Sequence, residues 1–148
     1  MKDQFYLNFE TMPKATAQQK GVSIVHGKPH FYEKKNVKNA RTEFTLALKE
    51  HKPKKPSELP IRLKICFCFD VKNKKLWRQP KPTKPDTDNY LKLLKDCMTD
   101  VGFWKDDSQV VDEHVWKYYS EKASIMIYWE EVKDDRCAVQ SQEMVDEL

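Results

Sequence analysis

Apolar and polar residues alternate most cleanly in "IRLKICFCFDV", where every odd position from Ile61 to Val71 is apolar and the even ones carry Arg62, Lys64, Cys66, Cys68 and Asp70. A period of two predicts a strand with one face on a core. The N-terminal "QFYLNFE" repeats the pattern with Phe5, Leu7 and Phe9 and reads as a half-buried strand. "TMPKATAQQKG" has no period and reads as a loop; Val22 to Val25 is a short strand or part of that loop, and "HGKPHFY" ends in an aromatic pair. From Lys34 to about His51 the period changes to that of a helix, with Val37, Ala40, Arg41, Phe44, Ala47 and Leu48 on one side. Pro53, Pro56 and Pro60 make a connecting loop.

A second helix follows, with an inward stripe of Tyr90, Leu91, Leu94, Cys97, Met98 and Val101, and with Gly102 where a helix C-cap glycine belongs. Two strand-like runs come last: Gln109 to Tyr119, whose alternation is poor, and Ala123 to Glu130, apolar on both faces. The order predicts a single α+β domain, two main helices against a mixed or antiparallel sheet, over residues 1–133. Residues 134–148 form an acidic tail expected to be solvated or disordered.

Charge changes the picture most. Charged residues make up 34% of the 148 and hydrophobic ones 39%, which implies a small core under a heavily charged surface. The net charge of +4 hides an asymmetry: without the last fifteen residues the body holds 26 basic and 18 acidic side chains. A basic body suggests a polyanionic partner. Lys72 to Pro85 is its most concentrated part, with Lys72, Lys74, Lys75, Arg78, Lys81 and Lys84 and no acid. No apolar run is long enough to span a membrane. Four cysteines without a signal peptide favour a reduced, cytoplasmic setting. Cys66 and Cys68 have no second pair at zinc spacing and read as small strand residues.

The second helix is bracketed by carboxylates. Asp86 and Asp88 stand at its start and Asp106 and Asp107 in the turn beyond its end. Singly, each fits an ordinary place: acids favour helix starts and aspartates favour turns. Together, beside a lysine-rich loop, they suit a hard divalent ion and phosphodiester hydrolysis, since magnesium prefers carboxylate oxygens to His or Cys. Lys92, four residues after Asp88 on the same helix face, suits a phosphate or a leaving group, or a salt bridge to Asp88. A helix of about 22 Å separates the two pairs, so spacing alone does not bring them together. On the residues, a metal-dependent nuclease and an inert nucleic-acid-binding module both stand.

The run "KPDTDNYLKLLKD" followed by "GFWKDDSQVVD" resembles the signature of the RusA family of Holliday junction resolvases, common in phages and prophages of bacteria. Asp-x-Asp-Asn at a helix start, a lysine four residues after the second Asp, and Asp-Asp-x-Gln-Val after the helix all stand in order, and the rest of the domain fits a member of this size. The resemblance implies that Asp86, Asp88 and Asp107 are an acidic triad holding Mg2+, with Mn2+ as a substitute. It implies that Lys92 is needed for catalysis, that Asn89 and Asp106 support the site, and that Asp96 is a frequently acidic position. It also implies a homodimer that nicks four-way branched DNA symmetrically, in recombination and repair, with the triad gathered on a basic face.

One departure is visible. Some members carry arginines directly before the first motif aspartate; here Pro85 stands there and the positive charge is spread over Lys72 to Lys84. Arginine binds phosphate bidentately and lysine does not, so selectivity at the cut is expected to differ. Trp77, Phe31 and Tyr32 are candidates to stack on unpaired bases, against ordinary packing roles. A DNA-binding protein that does not cut, and a nuclease without preference for branches, are the alternatives to a resolvase.

Overall fold

The computed structural model describes residues 1–14, 20–33 and 35–133, so the acidic tail lies outside the described residues. Strands β1 (Lys2–Phe9), β4 (Ile61–Asp70), β5 (Val110–Ser120) and β6 (Ala123–Glu131) form one sheet in the order β1-β6-β4-β5, while β2 (Lys20–Val25) and β3 (Lys28–Glu33) form a separate two-stranded ribbon. Helix α1 (Lys35–Lys49) lies between the ribbon and β4 in sequence, and α2 (Thr87–Val101) between β4 and β5. The domain is α+β with a mixed sheet.

Alternation in β4 sets the core. Ile61, Leu63, Ile65, Phe67 and Phe69 are all buried and the residues between them half-buried. Ala40, Phe44 and Leu48 of α1 and Tyr90, Leu91, Leu93, Leu94, Cys97 and Met98 of α2 close over that face, so Leu93 joins the expected stripe. Tyr90 is the hub nearest the carboxylates: its ring lies 4.8 Å from Phe67, 5.5 Å from Phe69 and 5.7 Å from Phe44, and its hydroxyl donates to the Pro13 carbonyl. Burial pushes that phenol well above its usual pKa, so it stays a donor. The start of α2 is thereby tied to the end of β4 and to residues 11–14.

Two features go beyond what the sequence pattern specifies. β5 runs parallel to β4, because α2 carries the chain back along the sheet as a crossover before β5 begins. It is also the outer strand, half-exposed on both faces, which accounts for its poor alternation. Second, "HGKPHFY" is half of a hairpin: His26 (φ 51°) and Gly27 (φ 77°) supply the two positive φ angles that a tight two-residue turn needs. Val22, Ile24, Pro29 and Phe31 share one face of this ribbon, and Ile24 and Phe31 are 79% and 67% exposed.

Candidate active site

Asp86 takes the N-cap position of α2, yet its carboxylate caps nothing. A capping aspartate would turn back onto the free amides of the first turn; this one lines a cavity with Lys81, Lys84, Asn89 and Asp70, and its Oδ2 lies 3.5 Å from the Asn89 amide nitrogen. The bland reading of a helix cap therefore fails for Asp86. Asp88 sits exposed in the first turn. Lys92, one turn further along, is 51% exposed and pairs at 3.5 Å with Asp96, not with Asp88.

The other pair is built differently. Gly102 (φ 105°) ends α2 by donating to Met98 and Thr99 carbonyls at 3.1 Å, and the chain turns back toward the helix. Asp106 then holds a turn of its own: its Oδ1 accepts from Ser108 N at 2.9 Å, and the Gln109 side chain accepts from Asp106 N at 2.9 Å while donating to the Ser57 and Leu59 carbonyls. The Ser108 amide holds the Asp106 carboxyl below the usual carboxylate range. Asp106 thus positions Asp107. Asp107 is half-buried in a second cavity, of about 300 Å³, beside Asp96, Thr99, Asp100 and Arg41.

One chain does not gather the triad. Asp107 shares its cavity with Asp96, ten residues along α2 from Asp86, or about 15 Å of helix. The strand gives a similar measure. Lys117 Nζ reaches the Pro85 carbonyl at 2.8 Å beside Asp86, whereas Val110 adjoins Asp107, and the rise from Val110 to Lys117 along the strand is about 23 Å. The parallel crossover is the physical reason: it sends α2 from one end of the sheet to the other, and the two pairs stand at its two ends. Among the described residues no three His, Cys, Asp or Glu side chains lie close enough to hold an ion. Asp86, Asp88 and the Asn89 amide are hard oxygen donors at one end and fit part of a magnesium shell; Asp107 is not within reach of them in the same chain.

The basic segment reaches the first pair. A turn at Lys74–Leu76 opens it, and main-chain bonds from Arg78 N to Tyr119 O (2.9 Å) and Lys81 N to Lys117 O (3.0 Å) lay it along β5. Lys72, Lys74, Lys75, Arg78 and Lys84 remain exposed, and Lys81 turns inward over the rings of Phe69 and Tyr119. Trp77 is half-buried, with its indole donating to the Val71 carbonyl at 2.9 Å, a packing role; Phe31 stands out on the ribbon, and the Tyr32 side chain lies outside the described residues. Sequence reasoning missed Asp70, Tyr119 and Lys117, which converge on Asp86 or the loop before it. Asp70 closes the alternating run as one more outward residue, and nothing in its spacing marks it.

Comparison with known proteins agrees with this arrangement of motifs. The model of the family "Endodeoxyribonuclease RusA" matches residues 10–128. A protein of Lactococcus phage r1t described as "Crossover junction endodeoxyribonuclease rusA" is 38% identical over 134 residues, spanning 89% of this chain and all of the phage protein. The protein YqaN of Bacillus subtilis (strain 168), described as uncharacterized, is 32% identical over 131 residues, spanning 81% of this chain and 91% of its own length. With the family model matched over residues that include both carboxylate pairs, this chain belongs to the RusA family of endodeoxyribonucleases.

Proposed function

We propose that the protein is a structure-specific endodeoxyribonuclease that resolves four-way DNA junctions by hydrolysing phosphodiester bonds. The observation that carries this reading is the pair Asp86 and Asp88: carboxylates at a helix start, free of any capping bond in the case of Asp86, at the exit of a segment with six basic side chains. Lys72, Lys74, Lys75, Arg78 and Lys84 draw in the backbone and set its register without reading sequence, while Lys81, expected from the sequence to do the same, turns inward and lends its charge to the cavity beside Asp86. Asp86 and Asp88, with Asp107 of a second copy, would hold the expected Mg2+, with Asn89 orienting Asp86. When bound, that ion activates water and neutralises charge on the phosphoryl group. Lys92 is placed to support the charge that grows as the bond to the 3′ oxygen breaks. Phe31, exposed on the ribbon, is suited to stack on a base freed at the branch.

A homodimer answers the separation of the carboxylates. β5 is the outer strand, and among the described residues no main-chain bond reaches its free side between 111 and 116, where Val111 and Trp116 are exposed. Antiparallel pairing of two such edges across a twofold axis would set the Asp107 turn of one copy beside the Pro85 and Asp86 region of the other. Two composite sites would result, related by symmetry as paired nicks require.

The test is a four-way junction labelled on each strand, incubated with wild type and Asp88→Asn, with magnesium and with chelator. Paired symmetric nicks from wild type with metal alone are expected. Tight binding without cutting would leave a DNA-binding protein, and equal cutting of linear duplex would leave a general nuclease.

A further inference from the structure

The cavity beside Asp86 is about 500 Å³, within the range of pockets that enclose an organic ligand and more than a phosphate group needs. Phe69, Tyr119 and Met12 give it apolar walls. Among the described residues its polar lining includes Asp70 and Lys81, with Lys14, Lys84, Asp86 and Asn89 beside them. Asp70 accepts from Met12 N at 3.1 Å through Oδ1, and among the described residues its other oxygen has no partner. Lys81 Nζ donates to Thr83 Oγ1 and, at 2.8 Å, to the Lys84 carbonyl, 5.3 Å from the centres of both the Phe69 and Tyr119 rings; an ammonium carries three protons, so one donor is left.

Asp70 and Asp86 set two carboxylates among Lys14, Lys81 and Lys84, so the lining is mixed in charge and is not a cradle for a second phosphate. It suits a flat, uncharged group with an edge that donates to a carboxylate and accepts from an ammonium. We infer that the cavity takes one unstacked nucleobase adjoining the cleaved phosphate and that Asp70 reads its exocyclic amino group, so that the pocket sets the sequence preference of the cut. The inference rests on the junction-cleaving reading above. A base inside a duplex cannot enter such a recess, and extrusion costs least where pairing or stacking is already broken, as at a branch point. Cytosine, adenine and guanine carry the amino group and thymine does not.

The test uses four-way junctions with identical arms and each of the four bases in turn at the nucleotides flanking the cut, with wild type, Asp70→Asn and Asp70→Ala, each checked by thermal melting. Wild type is expected to cut the thymine junction about 5-fold to 150-fold more slowly than the best base, the range of one well-made base contact. Both variants should compress that ratio, chiefly by slowing the favoured junction. Asp70→Asn keeps the oxygen that Met12 N needs and changes only the free acceptor. Equal rates for all four bases with wild type, or an unchanged ratio in folded variants, would overturn the pocket. A second readout needs neither cutting nor substitution in the protein: 2-aminopurine at the flanking nucleotide, in chelator, should brighten when wild type binds. Absence of brightening overturns the inference whatever the cutting assay gives; absence of cutting with brightening retained overturns the endonuclease reading instead.

Discussion

Two inactive variants mixed together should regain activity. Asp86 and Asp107 lie between about 15 and 23 Å apart in one chain by the rise of α2 and of β5. Oxygens sharing one magnesium at about 2.1 Å each lie no more than about 4 Å apart, and two aspartate side chains do not close the difference. If the site forms between copies, an Asp86→Asn chain paired with an Asp107→Asn chain contains one site with both residues intact and one with neither. Random exchange makes half of the dimers mixed, so about a quarter of the wild-type number of sites returns. Each variant alone is expected to be inactive on a labelled four-way junction in magnesium, and the mixture, after unfolding and refolding together, to give about a quarter of the wild-type rate. Because a mixed dimer holds a single site, its products should be single nicks. No recovery from a mixture shown to contain mixed dimers would refute the composite site.

Three further outcomes follow from the geometry. Replacing Lys72, Lys74 and Lys75, all exposed on the loop, with alanine should lower the slope of log affinity against log salt by about 3, measured by titrating junction binding from low to moderate salt. Arg62 bridges Asp112 on β5 and Glu130 on β6 at 2.6 Å each, and Arg62→Met should cost about 2 kcal/mol in urea unfolding at pH 7, the partial exposure of all three keeping it at the low end for charged hydrogen bonds. Both carboxyls are held below their usual range, by the Arg62 hydrogen bond for Asp112 and by the Tyr128 hydroxyl and Arg62 for Glu130, so their stabilisation is full above about pH 4.5 and fades as acid titrates them. The variant should therefore lose less stability than wild type on acidification. Gly102→Ala places a Cβ 3.6 Å from Pro56 Cγ, an ordinary contact, so its cost is the left-handed backbone alone: about 1–2 kcal/mol by the same measurement.

How far the sequence reveals this molecule varies by element. β4 and α2 are legible because their faces differ sharply in water and core, as the alternation of Ile61 to Phe69 and the stripe from Tyr90 to Met98 show. The ribbon is not, because Val22, Ile24, Val25 and Phe31 stay exposed and its turn uses His-Gly in place of the usual Asn-Gly. The parallel course of β5 is a property of the crossover, which no local period encodes. Within the site, the helix ruler already placed the carboxylate pairs far apart, and one chain keeps them so; the family resemblance supplied their common purpose. Asp70 escaped because its meaning depends on residues 11–14 folding over the end of β4, a contact between segments 58 residues apart.

The sheet also constrains the order in which the chain can be assembled during synthesis. β1 hydrogen-bonds to β6 along its whole length, from Lys2 opposite Glu130 to Phe9 opposite Ala123. Its neighbour in the sheet, among the described residues, thus leaves the ribosome on the order of ten seconds later at ordinary elongation rates. For that interval Phe5 and Leu7 have no strand to pair with, and β4 lacks the neighbour that separates it from β1 in the finished sheet. In the finished sheet β6 lies between β4 and β1, with Trp129 and Ile127 buried in the core. Truncation within β6 would therefore leave two exposed strand edges at once, and such chains should aggregate rather than persist as partly folded monomers.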